Sequence, residues 1–267
     1  MNFKQVQPMI KFLILPILAA ASLQVSLAQE AEKEPKEDLG YTYILPLPIL
    51  TSKNATESED IGAILPSILW VDERCVPTKM RDAAGSSEKP YSLRINNYRI
   101  SKPILINKAS SKIIFDAIDE TGRPKFKWRI PSPSSKESLT LVFSDPASEE
   151  KWAKPTFKII DCSPKKLPAG SVLVLNYSHN ELHTQIGKQK YIIKASEKKI
   201  FKTSPADKLA LKVVALNGKR KAFLFKNYVK SANGDRKVLV VYPKPTSGSY
   251  LKVALSIADI PLIPANQ

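Results

Sequence analysis

From Lys112 to Ile257 the chain advances in short apolar runs, broken at roughly ten-residue spacing by Gly, Pro or Asn. No stretch sustains a helical period, and no strand–helix–strand alternation is visible. That rhythm points away from helical bundles and parallel α/β folds and towards antiparallel β-sandwiches. The most constraining run is Leu167–Ser178, where Pro168-Ala169-Gly170 feeds Ser171-Val172-Leu173-Val174-Leu175 and the polar Asn176 and Ser178 end it. An unbroken apolar run, in place of alternation, predicts a strand buried on both faces at the centre of a sheet.

Other runs alternate. Phe126, Trp128 and Ile130 interleave with Lys125, Lys127 and Arg129, which predicts one core face and one basic, solvated face. Leu139, Leu141 and Phe143 follow the same pattern. Three hairpins are signalled: Lys112–Ile118 with Lys125–Ile130, Leu182–Ile186 with Lys190–Ala195, and Leu209–Leu216 with Lys221–Val229 about Asn217-Gly218. Before these, Tyr41–Leu50 reads as extended, with Pro46 and Pro48 keeping it out of the middle of a sheet. Ile61–Val71 fits a buried strand or a short helix, and Asp72–Pro90 reads as a long loop carrying Cys75. With strands on both sides of about residue 155, the expected fold is all-β: two antiparallel, Ig-like β-sandwich domains in tandem, over 41–155 and 156–267.

The start of the chain has a different character. Lys4 and Lys11 precede the apolar Phe12–Ala21, and Ser26-Leu27-Ala28 supplies small residues for cleavage, so residues 1–28 read as a secretory signal peptide. Pro16, Ser22 and Gln24 leave too short an apolar run for the ~20 residues of a membrane span. The expected location is periplasmic or extracellular, with no transmembrane segment in the mature chain. Residues 29–40 are polar and read as a disordered linker. In an oxidising compartment the only two cysteines, Cys75 and Cys162, are a candidate disulfide; two buried thiols are the other reading, and spacing does not decide between them.

The Tyr91-led strand, the Phe115–Phe126 hairpin, Leu139–Phe143, the Leu167-Pro168-Ala169-Gly170-Ser171 turn leading to Asn176, and Lys237–Tyr242 together resemble a group of uncharacterised exported bacterial β-sandwich proteins with a Pro-x-Gly-Ser turn. More remotely, the second half resembles sandwich modules of periplasmic accessory proteins in exopolysaccharide acetylation. The resemblance implies export and a sandwich fold, and it brings no catalytic residues.

No catalytic motif is visible in the residues themselves. There is no Gly-x-Ser-x-Gly, and with nine glycines the chain has no phosphate-cradling loop. The two histidines, His179 and His183, could share a face with Glu181 on an extended chain, but zinc usually takes three or four such ligands, and exposed turn residues are the preferred reading. Asn54 and Asn176 match a glycosylation pattern and are read as chance. A carboxylate pair assembled only in three dimensions stays open. No cofactor is expected.

The charge balance is the strongest remaining signal: 41 Lys+Arg against 25 Asp+Glu, a net charge of +16. Lysines are dense at Lys188, Lys190, Lys194, Lys198, Lys199 and Lys202, the candidate anion-binding set, and again from Lys219 to Lys230, with aromatics nearby at Tyr191, Phe201, Phe223, Phe225 and Tyr228. A solvated face that protects sheet edges is the preferred reading of such lysines. The expected function is a non-enzymatic exported structural or interaction protein of the envelope, partnered by an envelope protein or an acidic polysaccharide. The rival is a dedicated module binding an anionic polymer or lipid headgroup through a Lys-rich face. Nucleic acid is disfavoured, because no nucleic-acid-binding module is recognisable.

Overall fold

The computed structural model describes residues 37–49, 65–66, 68–77, 91–118, 121–145, 147–148, 150–202, 208–230, 236–243 and 253–260. Among these the secondary structure is β, apart from one 3-10 turn at Glu73–Cys75. The expected signal peptide lies outside the described residues. The polar leader ends before residue 40, because Leu39 and Gly40 already belong to a strand.

The first eight strands are β1 (Leu39–Leu47), β2 (Ile68–Val71), β3 (Ser92–Arg94), β4 (Ile104–Asn107), β5 (Lys112–Ile118), β6 (Pro124–Pro131), β7 (Glu137–Phe143) and β8 (Thr156–Asp161). The next eight are β9 (Ser171–Asn176), β10 (Glu181–Ile186), β11 (Gln189–Ile193), β12 (Lys198–Lys202), β13 (Lys208–Asn217), β14 (Arg220–Lys230), β15 (Arg236–Pro243) and β16 (Val253–Ile260). They form four sheets, ordered β4-β1-β7-β8 and β3-β2-β5-β6, then β12-β9-β15-β16 and β11-β10-β13-β14. Adding eight to each strand number of the first pair of sheets gives the second pair. The described chain is thus one sandwich topology used twice.

Each sandwich is antiparallel apart from one parallel pair, β1 with β7 and β9 with β15. The expected boundary at 155/156 moves to beyond Asp161, because β8 pairs antiparallel with β7 and completes the first sandwich. The possible strand within Ile61–Val71 is realised as β2, over its last four residues.

Among the described residues, three hydrophobic cores separate four layers. One core lies within the first sandwich, around Phe115, Trp128 and Val142; one lies within the second, around Val174, Leu182 and Val213. The third joins the β4-β1-β7-β8 sheet to the β12-β9-β15-β16 sheet through residues such as Leu45, Leu141, Leu173 and Val240. These two sheets are therefore inner layers with apolar side chains on both faces. In β9, Leu173 and Leu175 enter the middle core while Val172 and Val174 enter the second sandwich's own core, and all six residues of the strand are buried. That is the physical origin of the unbroken apolar run. The two remaining sheets are outer layers, and their strands alternate: Trp128 and Ile130 on β6 are buried while Lys127 and Arg129 are exposed. With the shared middle core, the described residues from Asp38 to Ile260 form one compact unit.

β1 runs between β4 and β7, so the expectation that its prolines bar it from mid-sheet is corrected. β4 pairs with β1 only over Leu39–Thr42, whereas the pairing with β7 continues to Leu47. The N–H that Pro46 lacks thus falls past the end of β4, and the Pro46 carbonyl accepts a hydrogen bond from the Tyr98 N–H at 2.9 Å.

The candidate disulfide is also corrected. Cys75 lies in the core of the first sandwich and Cys162 in the middle core, and both are buried free thiols. An inner sheet stands between the two cores. Burial pushes the Cys162 thiol up to about 12.

The turn into β9 holds Gly170 at φ 69°, a left-handed conformation that suits glycine. At the far end of β9, Asn176 is 1% exposed. Its Nδ2 donates to the carbonyls of Asn180, Ile193 and Lys194 at 2.7, 3.1 and 3.0 Å, and its Oδ1 accepts from the Ser178 N–H and hydroxyl at 3.1 and 2.7 Å. One side chain therefore ties the β9–β10 turn to the end of β11, and its amide is engaged in that network, in keeping with the reading of the glycosylation pattern as chance. Asn176→Ala strands these buried groups and should cost about 3 kcal/mol in chemical denaturation. A loss below about 1 kcal/mol would mean that water replaces the network.

Candidate anion-binding face

The outer sheet of the second sandwich turns its second face to solvent. Strand registers place four of its residues in a row across the strands: Ile192 on β11, His183 on β10, Val214 on β13 and Phe223 on β14. Two residues along, a second row runs parallel to it: Lys190, Gln185, Lys212 and Lys226. One row is largely apolar and the other is basic. Residues from both rows line a concavity of about 520 Å³, together with Leu216 and Lys221 from a third row.

A β-bulge builds this arrangement. From Asn217–Arg220 to Val214–Phe223 the β13–β14 hairpin follows one register, and then Val213 pairs with Phe225 so that Leu224 is the extra residue. Leu224 and Phe225 both pack against the core, and Lys226 and Tyr228 come round to the face that Phe223 occupies. Strict alternation would instead have sent Phe225 outward and Lys226 inward. The turn of the same hairpin has Gly218 at φ 58°, as its Asn-Gly sequence predicts.

The face exposes apolar groups to an unusual degree. Ile192 is 57% exposed, Phe223 66% and Tyr228 67%. The Lys212 ammonium lies 5.0 Å from the centroid of the Phe223 ring, a cation–π contact that links the two rows. Among the described residues, no ion pair engages Lys190, Lys212, Lys221 or Lys226. Glu181, the carboxylate in the third row, sits 2.7 Å from His183 Nε2. The corresponding sheet of the first sandwich treats its cations differently: Lys127 lies 3.2 Å from Asp116, and Lys125 4.0 Å from Glu150. Uncompensated positive charge over a concave surface concentrates field and attracts anions.

The six candidate lysines of 188–202 are all exposed, but they do not form one patch. Lys188 is in the β10–β11 turn, Lys194 follows β11, and Lys198, Lys199 and Lys202 lie on β12, an edge strand of an inner sheet. The Lys199 ammonium stands 5.2 Å from the Tyr191 ring, which packs edge-on against Phe201 at 4.9 Å. Of the six, Lys190 lines the concavity, where the structure groups it with Lys212 and Lys221, and Lys226 stands beside Lys212 at the end of the same row. Those three escape a reading of the sequence as a set because their side chains meet only through pairing with β10 and through the bulge.

His183 and Glu181 share a face, as the extended-chain reading expected, while His179 is exposed in the preceding turn. Among the described residues, no group of three His, Cys, Asp or Glu side chains stands close enough to hold a metal ion. No protein-family model matches the chain, and no curated protein matches it.

Proposed function

We propose that the chain is an exported, non-enzymatic binding protein of the cell envelope, in which the outer face of the second sandwich engages an anionic polymer. The observation that carries this reading is the row Lys190, Lys212 and Lys226, without ion-pair partners among the described residues, whose Lys190 and Lys212 line one concavity with the exposed Ile192 and Phe223. Export rests on the basic, apolar and small-residue succession from Lys4 to Ala28. The middle core supports a rigid carrier role for the rest of the molecule, since it locks the two sandwiches into one body.

Binding of this kind releases counterions, so the affinity falls along a straight line when its logarithm is plotted against that of the salt concentration. Replacing Lys190, Lys212 and Lys226 together by Gln should flatten that slope by about one for each lysine replaced. The melting temperature should hardly change, because Lys190 and Lys226 are exposed, Lys212 is half-buried, and none of the three has an ion-pair partner among the described residues. The triple replacement of Lys194, Lys198 and Lys199 should leave the slope nearly intact. Salt-independent binding, or equal effects of the two triple variants, would overturn the assignment to this face.

A further inference from the structure

Resting on the reading of this face as an anion site, we propose that its ligand is a uronate polysaccharide laid across the strands, with sugar faces on the apolar row and carboxylates on the lysine row. The first argument is length. Each row crosses four strands, and neighbouring strands lie about 4.8 Å apart, so each row extends for about 14 Å. A ligand that meets Lys190, Lys212 and Lys226 at once is extended and linear. A compact headgroup or a free phosphate meets only one end of the row.

The second argument is width. The two rows are two residues apart on the same face, about 7 Å along the strands. A ligand satisfying both rows presents an apolar surface and a charged rim within the breadth of a single ring. The pyranose ring of a uronic acid has that form, with C–H groups on its faces and a carboxylate on its edge. The concavity of about 520 Å³ lies within the ~300–1,000 Å³ typical of small-ligand sites, which suits a short oligosaccharide segment of a longer chain.

The third argument separates polymer classes. Polyphosphate is charged on every side and has nothing to place on the exposed Ile192 and Phe223. Single-stranded nucleic acid stacks successive bases on aromatic platforms. Here the two rings of the apolar row, His183 and Phe223, stand two strands or about 10 Å apart with Val214 between them, and the exposed Tyr228 lies beyond the lysine row, so the rings form no continuous stacking platform. Sugar C–H faces pack on aliphatic and aromatic side chains alike. The Lys212 ammonium beside the Phe223 ring brings charge and apolar surface together at one point of the face.

The test is calorimetric titration of the full mature chain with polygalacturonate, polyphosphate and phosphatidylglycerol vesicles at low salt. Polygalacturonate should bind. Phe223→Ala should weaken it about tenfold, equivalent to about 1.4 kcal/mol, and leave any polyphosphate affinity unchanged. Ile192→Ala should act in the same direction from the opposite end of the row, and the melting temperatures of both variants should match the parent, since both side chains are exposed. Lys212→Gln should weaken both polyanions. If Phe223→Ala and Ile192→Ala leave polygalacturonate affinity intact, or lower both affinities equally, the uronate assignment is wrong and the anionic-polymer reading stands. Failure of both polyanions to bind, or binding to vesicles alone, would overturn both.

Discussion

Arg236→Met should destabilise the protein by about 3–5 kcal/mol, although Met is apolar and the site is buried. Arg236 is 1% exposed at the start of β15, and its Nη2 donates to Glu137 Oε1 at the start of β7, in the other sandwich. Its Nη1 donates to the Cys162 carbonyl at 2.6 Å, and the Tyr43 hydroxyl donates to the same Glu137 oxygen at 3.3 Å. Burial works against the Arg236 charge, but the hydrogen bond and charge of Glu137 outweigh it and raise the pKa. Glu137 and Arg236 occupy the same position in the two repeats, each two residues before an apolar side chain that enters the middle core, Leu139 and Val238. Removing the arginine leaves the Glu137 carboxylate buried without its cation. The double variant Glu137→Leu with Arg236→Met removes both charges and should recover most of the loss, because a well-packed apolar replacement of a buried ion pair is often neutral or stabilising. Urea denaturation of the parent and the two variants reads the difference. A single variant costing less than about 1 kcal/mol would show that Glu137 finds water or another partner.

Val174→Asp should be more damaging still, by at least about 4 kcal/mol, enough to abolish folding in a chain of ordinary stability. Val174 is fully buried on β9 with its side chain in the core of the second sandwich, and β12 and β15 flank its backbone on either side. A carboxylate there would be fully buried in an apolar core. Val174→Ala removes apolar burial alone and should cost about 1.5–3 kcal/mol. Ile192→Asp, on the exposed face of the neighbouring sheet, should leave stability nearly unchanged. Circular dichroism and thermal melting of the three variants give the ranking. A folded, near-normal Val174→Asp variant would show that β9 is not a central strand.

Much of the fold is legible in the sequence. The β5–β6, β10–β11 and β13–β14 hairpins join neighbours in sequence, and their turn residues and alternation announce them. The central place of β9 is legible because a strand between two cores has no polar face to interrupt its apolar run. The parallel pairings of β1 with β7 and of β9 with β15 are not, since they unite segments far apart in the chain and leave no local mark. Pro46 misleads for a related reason: its tolerance depends on where β4 stops, a fact of tertiary pairing. The fourfold layering explains why β1, β7, β9 and β15 are apolar on both faces while β6 alternates, and it also separates Cys75 from Cys162.

The candidate site is legible only in part. Lysine density and nearby aromatics mark the second half as basic and ring-rich, and Lys190 is within the expected set. The linear cluster from Lys188 to Lys202 nevertheless follows the chain through a turn and an edge strand, whereas the face is built across four strands. Lys212 joins it through the β10–β13 register, and Lys226 and Tyr228 through the bulge at Leu224. Spacing along one strand carries no information about either.

Lysine acylation footprinting, read by mass spectrometry with and without saturating polygalacturonate, tests the central assignment most directly. Bound polymer should protect Lys190, Lys212 and Lys226 from acylation, while Lys194, Lys198 and Lys202 at the exposed edge keep their reactivity. Protection concentrated at Lys194, Lys198 and Lys202, or spread evenly over the lysines of both sandwiches, would contradict a binding face on the outer sheet of the second sandwich.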